Sequence, residues 1–222
     1  MLYLETGCKP IRFIIQTRRL MFLQYILKED PNSLISKFFH AQDCQPMKND
    51  WALACRNDME ELELNLTFDE IRNMSKNRFK SRVSKATTKM ALNYLLVEKN
   101  KLKKVLHIQY SALKTQDYLL PNKASLKLAK FIYQARNRML EFKANYGNMN
   151  YSDLLCPVCR EPNSTDTQQH LLHCVSLADN SVVQCAPKYE DLFTKDIKKL
   201  IIIASVMVEK FTKRKVILKQ TK

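Results

Sequence analysis

Two glycines in 222 residues constrain this chain more than any other feature. Tight hairpins and phosphate-cradling loops need residues at positive φ, which glycine supplies without steric cost. With only Gly7 and Gly147 available, a hairpin-rich sheet is disfavoured and a mainly α chain is expected. An apolar fraction of 45% is enough for a folded core. The length suits one large domain, or a domain with a smaller appendage.

Helix signals recur along the chain. Pro10 opens "PIRFIIQTRRLMFLQYILKE", and proline suits the first helical position because the N–H it lacks would be unpaired there. Ile11, Ile14, Ile15, Leu20, Phe22, Leu23, Ile26 and Leu27 are expected to face inward, with Arg12, Arg18 and Arg19 outside that face. A second helix is expected over 32–42, with Leu34, Ile35, Phe38 and Phe39 inward, and a third from Asn49 through "WALACRNDMEELEL". "TFDE" at 67–70 has capping-box spacing. Phe79, Val83, Ala86, Met90, Tyr94 and Val97 then trace one long helix. Ser125 is placed to cap a further helix that turns Leu128, Phe131, Ile132, Ala135, Met139 and Phe142 inward, with Gly147 near its end. "LIIIASVMV" at 200–208 belongs to a closing helix or strand. It is too short to span a membrane, and no basic, apolar signal peptide opens the chain.

Charge is the next constraint. The formal net charge is +15, and it is sorted along the sequence: residues 28–70 hold four basic and ten acidic side chains, residues 72–104 eleven basic and one acidic. Arg78, Arg82, Lys85 and Lys89 recur at helical spacing and form a basic stripe. A charge run is usually a solvated face, but soluble helices interleave both signs, and here carboxylates are nearly missing. Phosphate contact is therefore expected from these four residues, with Arg136 and Arg138 as further candidates, and the partner class is RNA or DNA, not a membrane or a small-molecule substrate. Neither a base-reading motif nor an aromatic platform separates RNA from DNA.

The stretch "CPVCREPNSTDTQQHLLHC" gathers three of the seven cysteines and two of the four histidines. Cys156, Cys159, His170 and Cys174 follow the spacing C-x2-C-x10-H-x3-C, which suits a knuckle followed by a short helix from about Gln168. His173 is expected to point away. Thiolates and imidazole suit Zn2+ better than hard cations, and four protein ligands leave no position for water, so the ion is expected to be structural. Such a cluster and an odd cysteine count favour a reducing setting, nuclear or cytoplasmic. Cys8, Cys44, Cys55 and Cys185 read as buried or incidental thiols.

The opening "LYLETGCKPIRFIIQTRRLMFLQYIL", the following "KNDW" and the knuckle ending in "HLLHC" together resemble the C-terminal portion of non-LTR retrotransposon reverse transcriptases, over residues 2–176. The resemblance implies a thumb-side helical region leading to a cysteine–histidine knuckle. It does not carry polymerase activity with it: the family's paired-aspartate motif holds two metal ions, and this chain has no Asp-Asp pair. The expected organisation is a basic helical region over 1–150, a CCHC zinc knuckle over 151–178 and a helical tail over 179–222. The expected function is non-catalytic nucleic-acid binding by a fragment or remnant of such an enzyme. The alternatives are a working piece of an active RNA-directed DNA polymerase and a zinc-stabilised protein-interaction scaffold.

Overall fold

The computed structural model describes residues 1–102, 110–145, 154–178 and 188–220. Among them the chain is helical with no strand, apart from an isolated antiparallel bridge between Leu155 and Thr165. Two compact units form. The first is Leu2–Glu98 with Ser111–Lys114, and the second is Lys99–Tyr110 with Thr115–Lys222, Met1 being grouped with the second. The 1–150 region thus spans both units, and the cysteine cluster and the terminal helix lie together in the second.

The first unit contains α1 (Leu2–Thr6), α2 (Ile11–Lys28), α3 (Leu34–Cys44), α4 (Trp51–Glu61), α5 (Phe68–Asn73) and most of α6 (Lys76–Asn100). Pro10 stands one position earlier than expected, as the N-cap of α2. Ser33 caps α3 through Ser36 N–H, and Thr67 and Glu70 complete the capping box of α5. The core brings together Leu20, Leu23 and Leu27 of α2, Phe39 of α3, Ala52, Cys55 and Met59 of α4, Ile71 of α5, and Phe79 and Val83 of α6. Burying each large aliphatic side chain contributes about 1.5–3 kcal/mol. Gln24 is buried for a different reason: its Nε2 donates to the carbonyls of Ile71 and Met74 at 3.1 and 3.0 Å, at the end of α5 where carbonyls lack intrahelical i+4 partners.

The expected inward faces are only partly right. Phe13 is fully buried in α2, whereas Ile11 is 64% exposed and Ile14, Ile15 and Phe22 also meet solvent. In α3, Phe39 is buried but Leu34 is 85% and Phe38 63% exposed. On α6 the buried row runs Phe79, Val83, Thr87, Ala91 and Leu95, so the last two residues of the expected row, Tyr94 and Val97, are exposed. The scarcity of glycine also leaves a mark. Glu63, two residues past α4, has φ 52°, and Arg138, two residues past the later helix Leu126–Arg136, has φ 51°, each in the left-handed position where glycine is usual.

The second unit contains α7 (Leu126–Arg136), α8 (Gln168–His173), α9 (Ile197–Gln220) and single helical turns at Asp117–Leu119, Lys143–Asn145, Val175–Leu177 and Tyr189–Phe193. Ser125 caps α7 by accepting from Leu128 N–H, as its position predicts. "LIIIASVMV" lies within α9, whose Leu200, Ile203, Met207 and Phe211 meet Phe131, Ile132 and Ala135 of α7 in one core, together with Phe142, Leu171 and Leu192. Met139, expected inward, is exposed. Gly147 and Cys185 lie outside the described residues.

Candidate metal centre and basic helix face

The cysteine cluster is built from a pinned loop and a capped helix. The loop is closed by Cys156 N–H donating to Ser164 O and Asp166 N–H to Leu154 O, both at 2.7 Å, on either side of the Leu155–Thr165 bridge. The chain turns over Pro157–Cys159, Arg160 N–H donates to Cys156 O at 3.0 Å, and Arg160 takes the left-handed conformation at φ 54°. Thr167 then caps α8 by accepting from His170 N–H at 2.9 Å, which fixes the first turn that carries the histidine. Cys174 sits one residue beyond α8, at its C-cap, with φ −61° and ψ 117°, so the expected pair on one helical face is replaced by a helix and its exit.

The ligand atoms of Cys156, Cys159, His170 and Cys174 all lie within 4.8 Å of one another, and Cys159 Sγ is 3.4 Å from His170 Nε2. A tetrahedral ion with metal–sulfur bonds of about 2.3 Å has sulfur–sulfur edges of roughly 3.8 Å, so a small contraction closes the set on one ion. The residues fit a metal. His173 is exposed and outside the set.

Backbone donors surround the sulfurs. Val158 and Cys159 N–H groups are directed at Cys156 Sγ, Glu161 N–H at Cys159 Sγ and Ser176 N–H at Cys174 Sγ. Donors so aimed stabilise thiolates, the ligand form. Burial and the neighbouring Cys156 and Cys159 push the Cys174 thiol up to about 12. Burial likewise raises Cys156, against the two backbone donors. Burial also acts upward on Cys159, but its hydrogen bond with Ser164 Oγ, at 3.2 Å, the Glu161 N–H and the hydrogen bonds with the other two cysteines outweigh it and hold its thiol below the ordinary value. Burial lowers His170, which keeps its imidazole neutral and ready to coordinate. Three packed thiols resist ionising together, and a cation removes that obstacle.

A buried ion pair ties this loop to α9. Asp166 Oδ2 accepts from Arg214 Nη2 at 2.7 Å and from Lys143 N–H at 3.0 Å, and the Arg214 guanidinium lies 4.9 Å from the Phe142 ring centroid. Lys210 Nζ adds a bond to Leu172 O at 2.6 Å. No sequence motif announces Asp166 and Arg214, since their pairing joins residues far apart in the chain.

The basic candidates separate into two groups. Arg78, Arg82, Lys85 and Lys89 are all exposed on α6, with Lys89 paired to Glu63 at 2.9 Å. Arg136 must be corrected: it is only 4% exposed, its Nε donates to Leu192 O at 3.0 Å, and its guanidinium sits over the Tyr118 ring, so phosphate cannot reach it. Arg138 is half-buried and hydrogen-bonds Tyr189. Two carboxylates of α4 are engaged as well. Asp58 is buried and pairs with Arg19 at 3.0 Å, while Glu61 takes Arg12 at 2.9 Å and Gln16 at 2.6 Å. Arg12 and Arg19 of α2 are thus engaged internally, while Arg18 is exposed.

Among the described residues, no helix is long and apolar enough to cross a membrane. No family model, curated protein or solved structure matches this chain, so its functional reading rests on these residues and their geometry.

Proposed function

We propose that this chain is a non-catalytic nucleic-acid-binding region held in shape by a structural zinc ion, of the kind expected in the C-terminal part of a non-LTR retrotransposon reverse transcriptase. The observation that carries the binding claim is the exposed cationic face of α6. Arg78, Arg82, Lys85 and Lys89 extend over roughly 16 Å of helix at 1.5 Å per residue, and Glu98 is the helix's lone carboxylate. Such a face follows a phosphate backbone without reading bases, so binding is sequence-tolerant.

Zinc is the ion favoured by three thiolates and one imidazole. With Cys156, Cys159, His170 and Cys174 all engaged, no coordination position is left for a reacting water, and the ion's work is to hold the loop and α8 together. The engagement of Asp58 and Glu61 by Arg19 and Arg12 supports the non-catalytic reading, since neither carboxylate is arranged for a catalytic metal.

The test joins metal analysis to a salt series. The purified chain should contain one zinc per molecule, and its affinity for nucleic acid should fall steeply with salt. Each phosphate contact contributes about 0.7–0.9 to the log–log slope, so changing all four basic residues to glutamine should flatten it by roughly three. Helicity should be retained, because the three residue types have similar propensity. An unchanged slope would transfer the reading to a protein-interaction scaffold.

A further inference from the structure

α6 carries more than its basic stripe. A groove of about 620 Å³ lies along it, lined by Asn77, Lys80, Ser81, Ser84, Lys85, Thr88, Lys89 and Leu92 and walled by Ser111–Leu113 of the same unit. At 3.6 residues per turn, Asn77, Ser81, Ser84 and Thr88 form a row roughly 16 Å long, with Lys80 about 70° to one side and Lys85 about 70° to the other. The groove therefore has a floor of small hydroxyl and amide groups between cationic rims. Asn77, Lys80, Ser81 and Lys85 use their side chains in no hydrogen bond or ion pair among the described residues.

Resting on the nucleic-acid reading above, we infer that this groove holds the sugar–phosphate backbone of a single strand, DNA or RNA. Hydroxyls and amides donate to phosphate oxygens and sugar, and lysines on both rims neutralise a strand lying between them. A duplex presents its phosphates on a convex surface and reaches one rim, where Arg78 and Arg82 stand. A single strand can sink to the row of serines. No aromatic ring lines the groove, so stacking adds nothing there and the backbone supplies the affinity.

Ser84→Trp fills the groove without changing charge, and Ser81→Trp does so one turn earlier, with circular dichroism checking that α6 persists. Affinities are measured by anisotropy for oligo(U) and oligo(dT) of about 15 nucleotides and for the matching oligo(dA)·oligo(dT) duplex. Both single strands should lose about tenfold or more, and the duplex less than about twofold. The unaltered protein supplies a second measurement: a bound single strand should shield Lys80, on the rim away from the stripe, from amine acetylation, and the duplex should leave Lys80 reactive. Unchanged single-strand affinity in the folded tryptophan variants, equal losses for both forms, or Lys80 left reactive under the single strand would each overturn the groove while leaving the stripe in place. Failure of the unaltered chain to bind any of these nucleic acids would remove both readings together.

Discussion

The two units of this chain solve the problem of a core differently. The first closes with helices alone: α2, α3, α4, α5 and α6 bury leucines, phenylalanines and one inert thiol, Cys55. The second places Cys156 and Cys174 inside its hydrophobic core, beside Leu171 and Leu177, so two of the four candidate ligands are also packing residues. A site at a surface can lose its ion and leave the fold standing. Here the candidate ligands share a core with α7 and α9, so on the zinc reading proposed above the loss of the ion should disturb that core too.

The sharpest way to break this comparison is to remove the ion. Structural zinc in small sites supplies apparent binding energies on the order of 10 kcal/mol. Cys174→Ser, or a strong chelator, should strip hydrogen-exchange protection from α8, α9 and the loop at Pro157–Cys159, and leave α2 and α4 protected. Equal protection of both units after metal loss would show that the second core stands without its ligands.

The next test cuts the tie between loop and helix. Arg214→Met leaves Asp166 buried and uncompensated, and breaking a buried pair costs about 3–5 kcal/mol. Urea unfolding should show that loss in the second unit. Replacing both partners by apolar residues should recover much of it, because the stranded charge dominates the cost. Loss of stability in the first unit instead would contradict the division.

A smaller effect distinguishes the units by pH. In the first, burial pushes Cys55 up to about 12, with the Asp58 charge adding and the Arg19 charge opposing. An unfolded thiol ionises near 8.5. Above that pH the unfolded chain gives up a proton the folded unit keeps, so stability falls by about 1.4 kcal/mol per pH unit until the folded thiol ionises. Cys55→Ala should abolish that contribution. In the second unit the sign reverses: burial lowers His170, so the unfolded imidazole protonates first and stability is lost as pH falls below about 6.5, where protons also compete with the metal. The Cys174 thiol, pushed up to about 12, gives the metal-free second unit a similar alkaline loss, so the units part on the acid side: hydrogen exchange at about pH 5 and 7 should show acid loosening the second unit and not the first.

What the sequence revealed depended on distance along it. Caps are local, so Thr67 and Ser125 could be read from neighbouring residues, whereas the helix expected from 32 starts later, behind the Ser33 cap. The four candidate ligands lie within nineteen residues, and their spacing pointed to the cluster that the structure forms. The inward face of α2 was not legible, because isoleucine, leucine and phenylalanine surround it, and the neighbouring helices choose Phe13 over Ile11, Ile14 and Ile15. Arg136 misled for a related reason: its partner is the carbonyl of Leu192, brought to it by tertiary packing. The groove on α6 escaped notice because serine, asparagine and threonine at helical spacing look like ordinary solvated positions until Ser111–Leu113 walls them in.

That wall has a consequence for the order in which the protein is made. The first unit is completed by Ser111–Lys114, a short return after α6 has left it. Domains form as the chain emerges, N-terminal part first, and every residue of the first core precedes Asn100. The core can therefore close while the groove still lacks one side. A nascent chain acquires its fold before its complete binding groove, and the final element of that groove arrives with the segment on the way to the second unit.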